Sequence, residues 1–272
     1  MRGFPRLLAH SLKRVRTLVL AGAILLGAFQ VILILVARSV QTSNAFDQMG
    51  ALIPPFVREL LGPAVTSLMS FNGMVCLGYF HLVVMSSLVA LVIALATMPA
   101  SEIESGFMDL ILSRPLARYW IITRSIAVLI ICSAALLITM LAGTWGGLNT
   151  LAPKDIPWPE RKLVLSLAIN LGVLMLCWGG IALAIGSVAR RRSVAGALAG
   201  LLAVAMFLLD YVARAWRTVE PAGWFSPFRY YSPFDLLMGN PLPVKNLVVL
   251  ASIAVTGFAL AYLLFSRRDI SH

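Results

Sequence analysis

Very few residues of this sequence have the chemistry that catalysis or metal binding requires. Cys76, Cys132 and Cys177 lie singly inside apolar runs, without CxxC spacing and without His or acidic neighbours, which predicts buried hydrophobes rather than metal ligands. His81 and Asp210 each stand alone in an apolar run. Hydrolytic or transfer chemistry needs a nucleophile with a base, paired acids or a metal cluster. The sequence therefore predicts no catalytic residue, no metal site and no enzyme activity.

The segment whose residue pattern bears most on recognition of another molecule is residues 101–115. Ser101 and Glu104 have the S-x-x-E spacing of a capping box, which predicts that a helix begins at Ser101. Helical spacing would make this segment amphipathic, with apolar residues recurring on one side. That side holds Ile103, Phe107, Leu110, Ile111 and Arg114, whereas Glu102, Ser105 and Asp109 lie away from it. Pro115 would end the helix and produce an elbow.

Composition alone leaves two roles open for this amphipathic segment. A short helix of this kind can rest on lipid headgroups, or it can dock on another protein. The acids Glu102, Glu104 and Asp109 count against a lipid surface, because the inner leaflet is itself negative.

The chain as a whole has the composition of a membrane protein. Of its 272 residues, 60% are hydrophobic and 12% are charged, whereas soluble domains have about 45–50% and roughly 25%. The net charge of +11 could suggest nucleic-acid binding. Because the Lys and Arg residues gather where apolar runs end, we interpret them as topology signals instead. No nucleic-acid partner is expected.

Hydropathy predicts an all-α fold with six transmembrane helices in a single domain, residues 1–272. The predicted spans are 17–37, 73–98, 121–142, 163–189, 193–212 and 244–265. The first span is too long for a cleavable signal peptide, and the start of the apolar run 63–98 is assigned to the outer interface. The basic N-terminus and the triplet Arg190–Arg192 place both termini in the cytoplasm of a multi-pass plasma (inner) membrane protein.

Two further features bear on how the spans pack. The stretches Gly196–Gly200 and Gly143–Gly147 fit the small-xxx-small pattern, which serves packing within one chain or between chains. Asn72 and Asn170 are predicted to hydrogen-bond between helices. Between the last two spans, prolines and aromatics predict short turns or helices, either as an interfacial belt or as a substrate gate.

The segment from Glu102 to Arg124 resembles the signature loop of ABC-2 type exporter permeases. The resemblance rests on Glu-x-Glu-x-Gly, on the run Leu110-Ile111-Leu112-Ser113-Arg114-Pro115-Leu116, on Arg118 and on a basic residue at Arg124. The stretch Arg6–Arg14 is similar to that family's N-terminal interfacial elbow helix, and Phe265–Asp269 to its usual ending. The sequence departs from the family at Phe107-Met108-Asp109, where Thr-Leu-Glu is common, and at Arg124, where Lys is frequent.

This resemblance implies the membrane subunit of an ATP-driven exporter, which pairs with a second or related permease and docks on a separate ATPase. The coupling helix would be the segment 101–115, with contact residues Glu102, Ile103, Glu104, Gly106, Phe107, Asp109, Leu110 and Arg114. The chain lacks a GxxxxGK[ST] loop, so ATP and Mg²⁺ would bind the partner and no cofactor is expected here. The substrate is unknown. An ATP-independent carrier or channel, and a non-transporting assembly subunit, remain alternatives.

Overall fold

The structure is a computed structural model that describes residues 4–43, 68–105 and 119–267. These residues form helices and connecting turns, and no strand occurs among them. The long helices are α1 (Phe4–Thr42), α2 (Phe71–Phe80), α3 (Leu82–Ala96), α5 (Tyr119–Leu151), α6 (Arg161–Val188), α7 (Arg192–Ala215) and α10 (Val244–Ser266). The short ones are α4 (Met98–Glu104), α8 (Glu220–Gly223), a 3₁₀ helix (Pro227–Tyr230) and α9 (Pro233–Leu237).

The prediction of an all-α fold with six spans is confirmed. Six helical segments are long and apolar enough to cross a membrane, and α2 and α3 together form the second of them. Large apolar side chains cover the outside of the bundle, as lipid contact requires; examples are Ile24 and Leu201, which are 70% and 68% exposed. The chain is therefore a multi-pass membrane protein.

A separate N-terminal elbow helix is not confirmed. Helix α1 is one uninterrupted helix of 39 residues, about 58 Å long. The apolar face that an interfacial helix would rest on lipid instead packs against other residues of the chain. Leu8, Leu12 and Val15 pack with Leu95 and Met98 near the end of the second span. That packing continues the face of the first span, and neither Pro nor Gly interrupts it between 6 and 20.

Helix α6 lies at the centre of the bundle and packs against α3, α5, α7 and α10. Its Trp178 is fully buried. On the α10 side the two backbones touch, since a Cβ added at Gly257 would lie 2.5 Å from the carbonyl carbon of Gly180. Glycine at both positions allows this close approach. The other long helices and the polar contacts described below are arranged around this core.

The prolines between α7 and α10 break the chain into three short helices, as predicted. Each has a proline in its first turn, where the missing N–H costs no hydrogen bond. We call this region, residues 220–237, the aromatic end of the bundle. Some of its aromatic rings are exposed, such as Phe225, whereas Phe228 is buried against the core.

Candidate functional site

The segment that the sequence assigns to partner docking lies only partly within the described residues. Five of its eight predicted contact residues lie outside them: Gly106, Phe107, Asp109, Leu110 and Arg114. Of the other three, Ile103 packs partly buried against the main core, Glu102 is buried, and Glu104 is exposed. The role of the segment as a whole stays a prediction, and the three described residues show how its start is anchored.

Helix α4 begins earlier than the capping pattern predicts. Its N-cap is Thr97, and Pro99 lies in its first turn, a position where proline favours helix initiation. Ser101 therefore lies inside α4, where its hydroxyl accepts a hydrogen bond from Arg14 Nη2 at 3.1 Å. The prediction that Ser101 and Glu104 form a capping box is wrong, because Pro99 sets the first turn before Ser101.

Glu102 forms an ion pair inside the chain. Its Oε2 accepts a hydrogen bond from Arg124 Nη2 of α5, and both side chains are almost completely buried. Such a pair takes two charges out of water and depends on mutual neutralisation. Glu102 is therefore a link between α4 and α5 in this conformation, rather than a free carboxylate presented to a partner. The sequence offered no signal for the pairing, since the two residues are 22 positions apart.

Glu104 makes a different contact, with the start of α7. Its Oε2 accepts a hydrogen bond from the backbone N–H of Arg192 at 2.9 Å, so the carboxylate lies at the positive end of the α7 dipole. The Arg192 side chain in turn donates to the carbonyl oxygen of Ala94 at 3.2 Å. We call this end of the bundle, where Arg14, Arg124 and Arg192 surround α4, the arginine end. Side-chain hydrogen bonds thus connect α4 to α1, α5 and α7.

The second span is broken at His81, a feature that hydropathy did not reveal. His81 has extended backbone angles, φ −60° and ψ 130°, between α2 and α3. Its Nδ1 accepts a hydrogen bond from the N–H of Val83 at 3.3 Å, which satisfies one donor that the break leaves without a helical partner. His81 is therefore a helix cap in the membrane span. Its isolation in an apolar run was the only sign of this role.

One of the carbonyl groups that the same break leaves free is satisfied from the aromatic end. Tyr231 Oη donates to the carbonyl oxygen of Tyr79 at 2.7 Å. Burial raises the pKa of the Tyr231 hydroxyl, so the hydroxyl keeps the proton that it donates. The Tyr79 hydroxyl lies 2.9 Å from Thr144 Oγ1 of α5. These buried contacts connect the loop before α9 with the second and third spans.

A groove of about 650 Å³ lies between α3 and α7, within the usual volume of ligand sites. Its lining is almost wholly apolar and includes Met85, Val89 and Ile93 of α3, with Ala203 and Val204 of α7. Exposed lining residues such as Ser86 and Val204 make the groove accessible from outside the bundle. A smaller apolar groove, between α5 and α6, is about 350 Å³.

The two ends of the larger groove differ in chemistry. At the aromatic end it is closed by Phe207 and Phe228, whose rings make an edge-on contact with centroids 5.5 Å apart. At the arginine end it is bounded by Thr97, Arg192 and Ser193. The groove thus runs from a hydrophobic closed end to a polar, positively charged one.

The two small-residue stretches have opposite environments. A Cβ at Gly143 would lie 2.8 Å from the carbonyl oxygen of Gly27, so this stretch packs α5 on α1 within the chain. Gly196 and Gly200 line the groove, and no described atom lies within 4 Å of a Cβ at either position. Asn170 does not form the interhelical hydrogen bonds predicted for it: its side-chain amide is buried and has no hydrogen-bond partner among the described residues.

No group of three or more His, Cys, Asp or Glu residues that could hold a metal ion occurs in the described ranges. All three cysteines are free and buried. Asp210 is bonded to Arg214 at 2.8 Å, one helical turn away.

A scan of the sequence against protein-family models gave no match, and a search of curated proteins gave none.

Proposed function

We propose that this chain is the permease subunit of an ATP-driven exporter, coupled to a separate ATPase through the segment that begins with α4. The observation that carries the proposal is the anchoring of α4, which side-chain hydrogen bonds connect to three spans. A displacement of the segment that follows α4 would be transmitted to α1, α5 and α7 through these contacts. The resemblance of residues 102–124 to the coupling loop of ABC-2 permeases supports the same role.

In this mechanism the chain performs no bond chemistry. ATP and Mg²⁺ bind the partner, whose closure on nucleotide moves the coupling segment. Because Glu102 and Arg124 are buried together, α4 and α5 move as one unit when the segment is displaced. The substrate crosses between spans that shift relative to one another. A second copy of the chain, or a related permease, completes the pathway.

The proposed orientation places the arginine end and both termini in the cytoplasm of the plasma membrane, following the positive-inside rule. Ser193 would then face the cytoplasm, whereas Asp155 and Glu220 would face outside. All three are exposed, and the native cysteines are buried, so single cysteines at these positions would give labelling over a low background. External labelling of Ser193→Cys in intact cells by an impermeant maleimide would overturn this orientation.

The docking role is tested by co-purification of the chain from native membranes with an ATPase that carries its own GxxxxGK[ST] loop. We expect Phe107→Ala to weaken that complex by about thirtyfold, because losing a large side chain from an interface centre costs about 2 kcal/mol. Phe225→Ala is the matched control, since Phe225 is 80% exposed at the aromatic end. It should leave binding and ATP hydrolysis unchanged.

A charge reversal distinguishes docking on an ATPase from the alternative of a helix that rests on the lipid surface. Asp109→Lys would oppose basic groups on an ATPase and weaken the complex, whereas on an anionic leaflet the added lysine would strengthen attachment. Asp109 is preferred to Glu104 for this test because Glu104 already has an intrachain partner. Wild-type binding and coupled hydrolysis in both Phe107→Ala and Asp109→Lys would overturn the docking role.

A further inference from the structure

We propose that the groove between α3 and α7 binds an anionic phospholipid, with the phosphate beside Arg190–Arg192 and one acyl chain along the groove. This binding is a property of the chain itself and does not depend on coupling to an ATPase. Its success or failure is therefore independent of the function proposed above.

The shape and polarity of the groove match an amphiphile. The α3 wall runs from Leu82 to Thr97, a length of about 22 Å at the helical rise, which is long enough for an extended acyl chain within a hydrocarbon core of about 30 Å. Phe207 and Phe228 close the far end, so the groove has one apolar terminus. The polar terminus, at Arg192 and Ser193, lies where a headgroup would leave the hydrocarbon.

The charge at the polar terminus favours an anionic headgroup. Arg192 lines the groove and is exposed, so beside its bond to the carbonyl of Ala94 its guanidinium group has N–H donors for a phosphate, which arginine binds with high geometric specificity. Arg190 and Arg191, also exposed, directly precede it in the chain. The carboxylate of Glu104 also lies at this end of the groove, but it accepts its hydrogen bond from the backbone N–H of Arg192 and not from a guanidinium group. Three positive charges against one negative charge leave a net attraction for an anion.

The same charges count against a second copy of the chain as the occupant. A two-fold axis along the bilayer normal places identical residues at the same depth. A symmetric contact through this groove would therefore bring the two Arg190–Arg192 triplets together, with like-charge repulsion. Gly196 and Gly200, which have open space beside them, are better explained as the floor of a lipid site. The second copy would then use a different face.

The test uses the full chain in nanodiscs with photoreactive probes. The probes are phosphatidylglycerol and phosphatidylcholine that each carry a diazirine in one acyl chain, and crosslinks are mapped by mass spectrometry. We expect labelling of peptides from 82–97 and 192–207, with about fivefold preference for the anionic probe, as one basic residue near a lipid surface predicts. Equal labelling by the two probes would overturn the charge assignment.

Matched variants distinguish the groove from the lipid-exposed surface. Gly200→Phe fills the groove and should abolish the labelling, whereas Leu201→Phe places the same ring on the exposed side and should leave it unchanged. Arg192→Gln should lower the anionic preference while it keeps the backbone N–H that bonds Glu104, and Arg192→Lys should lower it less. Equal labelling of the two Phe variants, or efficient disulfide dimers through Gly196→Cys in native membranes, would overturn the proposal.

Discussion

The chain from α2 to α4 is interrupted twice, once within the second span and once directly after it, and the backbone groups at the two breaks are satisfied by different means. At His81, within the span, an imidazole nitrogen and a tyrosine hydroxyl bond the freed N–H of Val83 and the freed carbonyl of Tyr79. At Thr97, between α3 and α4, the threonine hydroxyl bonds the carbonyls of Ile93 and Ala94. The guanidinium of Arg192 bonds the carbonyl of Ala94.

The difference follows from the surroundings of each break. Inside the hydrocarbon an unpaired N–H or carbonyl costs several kcal/mol, and a charge would cost more. The break within the span is therefore satisfied by groups that carry no formal charge. At the arginine end, the guanidinium of Arg192 bonds the carbonyl of Ala94 beside the neutral hydroxyl of Thr97, and charged side chains connect α4 to its neighbours. The first break is held by packing and neutral hydrogen bonds, whereas charged side chains also contribute to the second.

The largest effect is expected at the charged break, from Arg124→Leu. This substitution leaves the carboxylate of Glu102 buried without its partner, and removing one member of a buried pair costs about 3–5 kcal/mol. The free energy of unfolding, measured by denaturant titration in mixed micelles, should fall by that amount. The double variant Glu102→Leu with Arg124→Leu should recover most of the loss, because no charge then remains buried.

An exposed pair provides the control for this prediction. Glu220 lies 3.6 Å from Arg229, and its side chain is half exposed, so Glu220→Gln should cost only about 0.5 kcal/mol. Similar losses in Arg124→Leu and Glu220→Gln would show that Glu102 and Arg124 are solvated, and the comparison between the two breaks would fail.

The neutral break is tested by Tyr231→Phe. This change removes one hydroxyl and leaves the carbonyl of Tyr79 buried without a donor, at a cost of about 1–3 kcal/mol. Tyr230→Phe is the matched control, since the hydroxyl of Tyr230 bonds the carbonyl of Trp224 in an exposed position. Thermal unfolding should separate the two variants, and equal midpoints would exclude a structural role for the hydrogen bond to Tyr79.

A smaller effect is expected from His81→Leu. The N–H of Val83 loses its acceptor, and the loss of a helix cap costs about 1 kcal/mol. His81→Asn supplies a carbonyl oxygen that can accept the same hydrogen bond, so it should retain most of the stability. The comparison is made by hydrogen exchange at the amides of 82–84, which should speed up in the Leu variant alone.

How much the sequence predicts depends on the range of the interaction. Long apolar runs predicted six spans, because a hydrocarbon core demands helices of that length. The bond between Asp210 and Arg214, which was not predicted, joins residues four apart in one helix, a spacing typical of such pairs. By contrast, Tyr231 and Tyr79 are 152 positions apart, and nothing in either local pattern indicates that α2 lies beside the aromatic end.

The capping pattern at Ser101 shows a different failure. The spacing was correct for a helix start, but the preceding Thr97 and Pro99 provide an earlier start that removes Ser101 from the cap position. Glu104 could then bond the start of α7 instead. Two local patterns therefore compete for the start of α4. The start at Thr97 is the one observed, and it also allows Met98 to pack against Leu95 and Val15.

The smallest effect is expected from Glu104→Gln at the charged break. Glu104 is exposed and accepts one hydrogen bond, so removing its charge should weaken only the attraction to the α7 N-terminus, by about 0.5 kcal/mol at low salt. Glutamine keeps an oxygen acceptor, so the hydrogen bond itself can persist. The difference between wild type and variant should therefore shrink as salt is raised, because exposed charges are screened beyond about 10 Å at 0.1 M salt. The loss from Arg124→Leu should not shrink, since that charge is buried. Unfolding titrations of both variants at low and high salt make this comparison, and a salt-independent loss in Glu104→Gln would mean that the carboxylate acts as a buried group like Glu102.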